Sequence, residues 1–303
     1  MRADQAVAAL SVPTGAEAVR GIGLVVIGYL IITGADAAVK WVLPEIGIAM
    51  AMICRGTIGM AVLAIITRGR GFYPVDKRLL AARSILHCCV SACWYWAWVR
   101  AVPLADSYAV ACATPLLMTL LAIPLLGETV GWRRMTSTGI GFAGVLVMLQ
   151  PSGDLWRIES LVLLGATCVM ALTRIWTRLL SRTDKPATIA FWLMAAHVPM
   201  GLLLLPTFPP PAVLPSGGVM LALLFFGAAN AVAHLLFSRA FALAPIGALA
   251  PYEYTPFIYG IGIGFLIWSE VPAWTTILGA ALVILAGIYN LHRERVRRAQ
   301  ERR

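Results

Sequence analysis

Charged side chains are scarce in this sequence. Only 13% of its 303 residues are Asp, Glu, Lys or Arg, whereas 60% are hydrophobic. A soluble domain carries roughly twice that share of charged residues, and the mean hydropathy of this chain is +0.84. The shortage of charge excludes an ordinary soluble domain and predicts an integral membrane protein.

The sequence also lacks the motifs of common enzymes and pumps. It has no HExxH motif, no GxSxG motif and no phosphate-binding loop, so an ATP-driven pump is excluded for this chain alone. The six cysteines have no spacing that fits a metal site or a disulfide framework, and all lie within apolar runs: Cys54, Cys88, Cys89, Cys93, Cys112 and Cys168. We therefore expect no cofactor, no metal and no enzymatic activity.

What the sequence does contain is a series of apolar runs, each long enough for a helix to cross a bilayer. The alternating ten-residue segments of a transmembrane barrel are absent. We predict an all-α integral membrane protein with ten transmembrane helices at 21–42, 46–67, 79–100, 104–126, 132–150, 159–180, 187–206, 217–240, 245–267 and 273–291.

Basic residues are distributed unevenly between the two ends of these helices. If the N-terminus is cytoplasmic, 18 lysines and arginines fall in cytoplasmic segments and only three fall in outer ones: Lys40, Arg100 and Arg157. Because cytoplasmic segments are enriched in basic residues, we predict that both termini are cytoplasmic. The formal net charge of +10 thus indicates membrane topology, and we expect no nucleic-acid partner.

One stretch of the chain recurs. Residues Ala101–Glu128 align with Ala242–Glu270, so that Thr114-Pro115 falls on Thr255-Pro256 and each copy closes at a single Glu. Each half holds five predicted helices, and an odd number forces the two copies into opposite orientations across the membrane. We predict two inverted five-helix repeats, with boundaries at 1–19 (cytoplasmic tail), 20–150 (first repeat), 157–291 (second repeat) and 292–303 (basic cytoplasmic tail).

These features resemble the drug/metabolite transporter superfamily, EamA type. The resemblance covers residues 20–290 and rests on matching segments in both copies: Thr114-Pro115 with Gly127-Glu128 and GIGFAGVLVML (139–149), and Thr255-Pro256 with Glu270 and LGAALVILAGIY (278–289). Arg55 in the second helix and ALTRIWTRLL (171–180) also fit. The second copy departs from the pattern at Ser269, where the first has a glycine, so its turn is expected to differ.

The tryptophans of the third predicted helix are similar to those of the YddG-like aromatic amino-acid exporters within this superfamily. The resemblance implies a bacterial cytoplasmic (inner) membrane protein. It also implies a small-molecule substrate and a cavity between the two repeats, lined by the first, third, fourth, sixth, eighth and ninth helices. The other partners expected are the lipid bilayer and, at most, a second copy of the chain, as a monomer or a homodimer.

Charged residues within the membrane are costly and are therefore candidates for substrate binding or ion coupling. Glu253 lies near the expected midplane between Pro251 and Pro256, which should kink or break the helix. Asp36 and Arg55 lie on adjacent helices and could form either a structural ion pair or a gating pair. Lys40, one turn from Asp36, is an alternative partner or a side chain that reaches the headgroups.

Aromatic and polar residues supply further candidates. His87, Ser91, Trp94 and Trp98 share one helical face beside Tyr95. Aromatic faces suit an apolar or ammonium-bearing substrate, although an interfacial aromatic belt would explain part of this set. The other candidate substrate-binding residues are Tyr108, Trp176, Asn230, His234, Tyr252 and Tyr254. His87 and His234 could also couple to protons, whereas His197 is expected to be structural.

The sequence Gly139-x-Gly141-x-x-Gly144 matches a dinucleotide-binding fingerprint by its letters. It lies inside a predicted membrane helix with no strand before it, so close packing of helices explains it better.

Three functions are compatible with these observations. The first is a secondary transporter that exports small amphipathic metabolites, with aromatic or apolar amino acids favoured, by alternating access. The second is an importer of a nucleoside-like or vitamin-like metabolite. The third is a non-transporting membrane scaffold, which would have no central cavity open to water.

Overall fold

The computed structural model describes residues 15–126, 132–149, 158–211, 215–244 and 246–301. Within these ranges every regular element is a helix: α1 (Gly15–Thr67), α2 (Lys77–Val99), α3 (Leu104–Ala111), α4 (Thr114–Leu126), α5 (Trp132–Leu149), α6 (Ile158–Leu180), α7 (Pro186–Leu204), α8 (Gly217–Leu243), α9 (Ile246–Leu249), a 3₁₀ turn (Ala250–Tyr254), α10 (Thr255–Trp268) and α11 (Trp274–Glu301). Six helical stretches in the described ranges are long and apolar enough to cross a membrane. The predicted all-α membrane fold is confirmed, and the division into ten spans stays a prediction. Glu128 and the tail before residue 15 lie outside the described residues.

Helix α1 contains two of the predicted spans. Its backbone leaves the helical conformation at Gly47, where φ is +73° and ψ is 166°. Only glycine adopts this region readily, and Pro44 lies within the preceding turn. The chain bends here, so the two halves of α1, residues 15–46 and 48–67, pack as separate helices.

Each Thr-Pro pair of the repeat begins a helix after a break in the chain. Helix α4 begins at Thr114 and α10 begins at Thr255, with proline as the second residue of each. The hydroxyl of Thr114 donates to the carbonyl of Ala111 at 2.6 Å, and that of Thr255 donates to the carbonyl of Tyr252 at 2.8 Å. Proline is favoured at the first turn because that turn needs no amide donor. The predicted helix break around Glu253 is therefore confirmed as a 3₁₀ turn.

The helices pack in pairs that follow the order of the predicted repeats. Helix α5 packs on α11, and the second half of α1 packs on α7. Helix α2 packs on α6, and the first half of α1 packs on α8. When each helix is exchanged for its counterpart in the other predicted repeat, the first two pairs are unchanged and the last two are exchanged for each other. Two copies related by a two-fold axis would produce this pattern.

Small residues allow the closest of these contacts. A Cβ atom at Gly144 of α5 would lie 2.8 Å from the carbonyl oxygen of Gly279 in α11, and one at Gly279 would lie 2.5 Å from that of Gly144. A Cβ atom at Gly141 would lie 2.2 Å from the side chain of Leu116. Two of the three glycines of the fingerprint-like motif, Gly141 and Gly144, therefore serve the close helix packing that the sequence predicts, whereas Gly139 has no close neighbour.

The turn after α10 keeps the glycine-type geometry despite its serine. Ser269 has a φ of 55° and lies in the left-handed region. Its amide donates to the carbonyl of Phe265 at 2.9 Å, and the amide of Glu270 donates to that of Gly264 at 3.2 Å. The first of these is the 5→1 bond of an αL cap, in which glycine is usual. Serine tolerates this conformation at a modest energetic cost. Gly127 and Glu128 lie outside the described residues, so a difference between the turns of the two copies stays a prediction.

Two glycines of α5 allow a matched test of the packing. Gly144→Ala should lower the free energy of unfolding by about 1–3 kcal/mol, because its methyl group overlaps backbone atoms of α11. Gly139→Ala, in the same helix, should cost nothing, since no atom lies within 4 Å of its Cβ position. Denaturation of the purified protein in detergent compares the two variants. Equal stability would contradict the packing role.

Candidate substrate-binding site

A cavity of about 90 Å³ lies at the centre of the described structure, where the two broken helices meet. Side chains from both predicted repeats line it, and they include charged, aromatic and apolar groups: Tyr29, Ile32, Asp36, Arg55, His87, Val90, Ser91, Trp94, Tyr95, Trp98, Tyr108, Ala111, Thr114, Met170, Arg174, His234, Phe237, Glu253 and Pro256. Two of these, Thr114 and Pro256, belong to the Thr-Pro pairs. The helix breaks at the recurring Thr-Pro pairs therefore lie at the cavity wall.

One end of the cavity holds a charged cluster of three side chains. The hydroxyl of Tyr29 donates to Glu253 and accepts a hydrogen bond from Nη2 of Arg174 at 3.1 Å. Nε of Arg174 lies 3.9 Å from Oε2 of Glu253. Helices α1 and α6 and the 3₁₀ turn each supply one member. The guanidinium also lies over the ring of Phe237, with its centre 4.9 Å from the ring centroid. Within this cluster, the buried charges of Arg174 and Glu253 compensate each other.

An aromatic wall forms the opposite side. The Trp94 ring lies 5.6 Å from Trp98 and 5.5 Å from Tyr108, measured between centroids. Nε1 of Trp98 donates to the hydroxyl of Ser107 at 3.1 Å, which fixes that ring. The Tyr108 hydroxyl donates to Asp36 at 2.6 Å. A flat ring can stack here, because aromatic pairs favour centroid separations of about 4.5–7 Å.

Arg55 lies at the centre of a neutral hydrogen-bond network. Its Nη1 donates to the hydroxyls of Tyr95 at 2.8 Å and Ser91 at 3.0 Å. Its Nη2 lies 2.9 Å from Nε2 of His234. Arginine has no acceptor atom, so Nε2 of His234 must accept and cannot carry the proton. His197, expected to be structural, contacts the hydroxyl of Ser91 at 3.1 Å.

Comparison with known proteins also indicates a transporter. Residues 157–291 match the EamA-like transporter family, and they are the residues expected to form the second repeat. The chain is 29% identical to a riboflavin transporter of Vibrio cholerae over 69% of this chain and 70% of that protein. It is 25% identical to a pseudopaline exporter of Pseudomonas aeruginosa over 88% and 94% of the two chains.

Residues 157–291 thus form an EamA-type domain of the drug/metabolite transporter superfamily. An S-adenosylmethionine uptake transporter of Rickettsia prowazekii is 25% identical over 64% of this chain and 65% of that protein. One protein of known crystal structure shares the fold, with a TM-score of 0.63 and 17% identity, over 90% of this chain and 96% of that one. The names of these relatives support a multi-pass membrane transporter of metabolites.

The transporter cavity brings together nine of the residues that the sequence analysis singled out. They come from both predicted repeats and include every candidate of the third predicted helix: Asp36, Arg55, His87, Trp94, Tyr95, Trp98, Tyr108, His234 and Glu253. His87 and His234 stand edge to face, with their centroids 5.0 Å apart. Asp36 and Arg55 do not pair with each other, because Asp36 binds Tyr108 and Arg55 binds the neutral network.

Four other candidates do not line the cavity. Asn230 is fully buried and its amide donates to the carbonyl of Phe226 in its own helix at 2.9 Å. Trp176 packs against the main apolar core. Tyr252 packs against the apolar cluster around α8, and Tyr254 points at Gly287 of α11. Successive residues of a 3₁₀ turn point about 120° apart. Of Tyr252, Glu253 and Tyr254, only Glu253 therefore faces the cavity.

Two residues of the charged cluster escaped the sequence analysis. Arg174 carried a usable signal, because it is an arginine inside a predicted membrane helix, which is a candidate by default. Tyr29 is one tyrosine in an apolar run, and nothing in its neighbourhood distinguished it from a packing residue. Its importance comes from α8 and the 3₁₀ turn, which are distant in sequence.

Lys40 does not pair with Asp36. It pairs with Glu270, lies over the ring of Trp268 at 4.5 Å, and does not belong to the cavity lining. Glu270 also accepts a hydrogen bond from the backbone amide of Leu104 at 2.9 Å. This Lys40–Glu270 latch ties together α1, the start of α3 and the end of α10. The carboxylate that closes the second copy therefore fastens three helices.

The latch can be measured with a double-mutant cycle. Lys40→Met and Glu270→Gln should show a coupling free energy of about 1–3 kcal/mol, because both side chains are largely buried and share one network. The matched control is the pair Arg100 and Glu159, whose arginine side chain is 56% exposed and whose charged atoms lie 3.5 Å apart. That coupling should stay below about 1 kcal/mol. Equal values for the two pairs would contradict the latch.

Proposed function

We propose that this protein carries a small amphipathic metabolite across the bacterial cytoplasmic membrane by alternating access. The observation that carries the proposal is the central cavity, which combines buried charges with an aromatic wall. A scaffold protein would have no reason to maintain ionisable groups at the centre of an apolar bundle, where each is costly. Transport also agrees with the names of all the relatives described above.

The aromatic wall and the relatives together favour a substrate with a flat ring. From the sequence we expect export of aromatic or apolar amino acids, and the alternative is import of vitamin-like or nucleoside-like compounds. Two of the relatives are named for riboflavin and S-adenosylmethionine, which belong to the alternative class. Trp94, Trp98 and Tyr108 offer ring faces to either class. We therefore propose a ring-bearing metabolite as the substrate and give the vitamin-like and nucleoside-like compounds precedence.

The broken helices supply a means of alternating access. Helices α4 and α10 each begin at the cavity wall, next to a stretch without regular α-helical hydrogen bonds. Such breaks can act as hinges, because few hydrogen bonds must change when the adjoining segments rotate. The proposed motion moves one repeat, residues 20–150 or 157–291, against the other. Opening at the end of α10 would require release of the Lys40–Glu270 latch.

Counterflow in proteoliposomes tests the transport function and the wall together. Labelled riboflavin, S-adenosylmethionine and tryptophan should be compared, because relatives are named for both uptake and export and counterflow detects either direction. At least one should exchange, and Trp94→Ala should raise its half-saturating concentration about tenfold through loss of ring contact.

Trp274→Ala is the matched control, since Trp274 is 73% exposed and lies outside the cavity lining. It should leave the exchange unchanged. A cysteine placed at Trp94 should also react with a water-soluble thiol reagent. Exchange of none of the three compounds, together with complete protection of that cysteine from both sides, would favour the scaffold instead.

Coupling to protons through Glu253 is part of the proposal. Glu253 faces the cavity, accepts a hydrogen bond from Tyr29 and pairs with Arg174. We infer that a transported proton binds at this carboxylate. An imposed pH gradient should therefore change the initial rate in the wild type. Glu253→Gln should abolish this response and retain counterflow, which needs no net proton movement.

Glu159→Gln is the control for this measurement, because Glu159 pairs with Arg100 away from the cavity. It should retain the full response to the gradient. A wild-type rate that ignores the gradient, or a Glu253→Gln variant that still follows it, would rule out this coupling.

A further inference from the structure

Arg55 is a buried cation that faces the cavity and contacts only neutral groups. Its exposed fraction is 4%. Its two terminal nitrogens contact Tyr95, Ser91 and His234 at 2.8–3.0 Å, and its Nε has no hydrogen-bond partner among the described residues. Within the described part of the chain, no carboxylate forms an ion pair with it.

The two carboxyl groups of the cavity are already engaged elsewhere. Asp36 accepts a hydrogen bond from Tyr108 at 2.6 Å. Glu253 accepts from Tyr29 and pairs with Arg174. A charged group that is removed from water without an opposite charge is among the most costly features of a protein interior. Among the described residues, Arg55 thus has no carboxylate in direct contact with it.

The charges that line the cavity point the same way. Two guanidinium groups, Arg55 and Arg174, stand against two carboxyl groups, Asp36 and Glu253. Arg174 pairs with Glu253, whereas Arg55 has no ion pair among the described residues. A carboxylate bound at Arg55 would therefore supply its missing ionic partner.

We propose that Arg55 binds a carboxylate of the transported substrate. This proposal rests on the proposed transport function and narrows its substrate to ring-bearing metabolites that carry one carboxylate. A guanidinium matches the two oxygens of a carboxylate with parallel hydrogen bonds. Tyr95 and His234 hold the fork in place, and Trp94 lines the same cavity and offers a face for the ring of the substrate. Neutral analogues of the same shape are rejected, because they leave Arg55 unpaired.

The stability of the ligand-free protein does not separate an anion site from a purely structural role. Arg55→Met leaves Ser91, Tyr95 and His234 without their hydrogen-bond partner in either case. The two roles differ in the response to an anion. A structural strut between α2 and α8 gives no preference for a carboxylate over a neutral group of the same shape, whereas an anion site does.

The probes are indole-3-propionate and its uncharged amide, which differ only in the carboxylate. Thermal unfolding of the purified protein is followed at increasing concentrations of each. The acid should stabilise the wild type, and the amide should need a concentration about 10–100 times higher. Arg55→Met should remove this preference for the acid, whereas Arg55→Lys should retain part of it.

Arg83→Met is the matched control, because Arg83 is equally buried and also lacks a carboxylate partner but does not line the cavity. It should keep the preference for the acid. Equal stabilisation by acid and amide, an unchanged preference in Arg55→Met, or no stabilisation by the acid would each overturn the proposal. Counterflow of a neutral ring compound in that case would leave the transport function standing without the carboxylate site.

Discussion

The cost of burying charge among apolar helices governs the centre of this protein. Water would otherwise solvate the guanidinium and carboxyl groups, so each buried group must find compensation inside the bundle. Arg174 and Glu253 compensate each other across Tyr29, and Asp36 takes a tyrosine hydroxyl. Arg55 receives only neutral acceptors. The cavity lies where these groups converge, and aromatic rings form part of its lining.

The recurring stretch separates into scaffold and site. The Thr-Pro pairs give both copies the same local geometry, with a hydroxyl bonded three residues back and a helix that starts at the cavity. Glu270 closes the second copy and fastens the start of α3 through the amide of Leu104. The residues that differ between the copies, Tyr108 in one and Glu253 in the other, face the cavity. A shared backbone therefore presents two different sets of side chains to one space.

The fold could be predicted from the sequence because the membrane imposes strong rules. Apolar length leads to membrane-spanning helices without tertiary information. The orientation from basic residues and the inverted repeats from an odd number of helices stay predictions. The break at Glu253 was also predictable, because Pro251 and Pro256 remove backbone donors on both sides of it.

The partners within the site were less predictable. Asp36 and Arg55 were close in the predicted topology, but Tyr108 and Tyr95 from other helices occupy their hydrogen-bonding positions. The heights of residues along helices do not specify rotation about the helix axis. The same limit applies to the 3₁₀ turn, whose period of three residues turns Tyr252 and Tyr254 away from the cavity. Lys40 was misjudged because its partner, Glu270, lies 230 positions away in the chain.

Charge pairing offers a physical reason why a transporter of this kind would move more readily when loaded. In the empty centre Arg55 contacts only neutral groups, and a rocking motion must carry this unpaired guanidinium through surroundings of low dielectric constant. An anionic substrate on Arg55 would pair it, so the loaded form would cross the intermediate state at lower cost. Protonation of Glu253 would remove the partner of Arg174 and add positive charge to the cavity, which favours binding of an anion. Substrate and proton would then assist each other through the charge of a single cavity, with no contact between their binding groups.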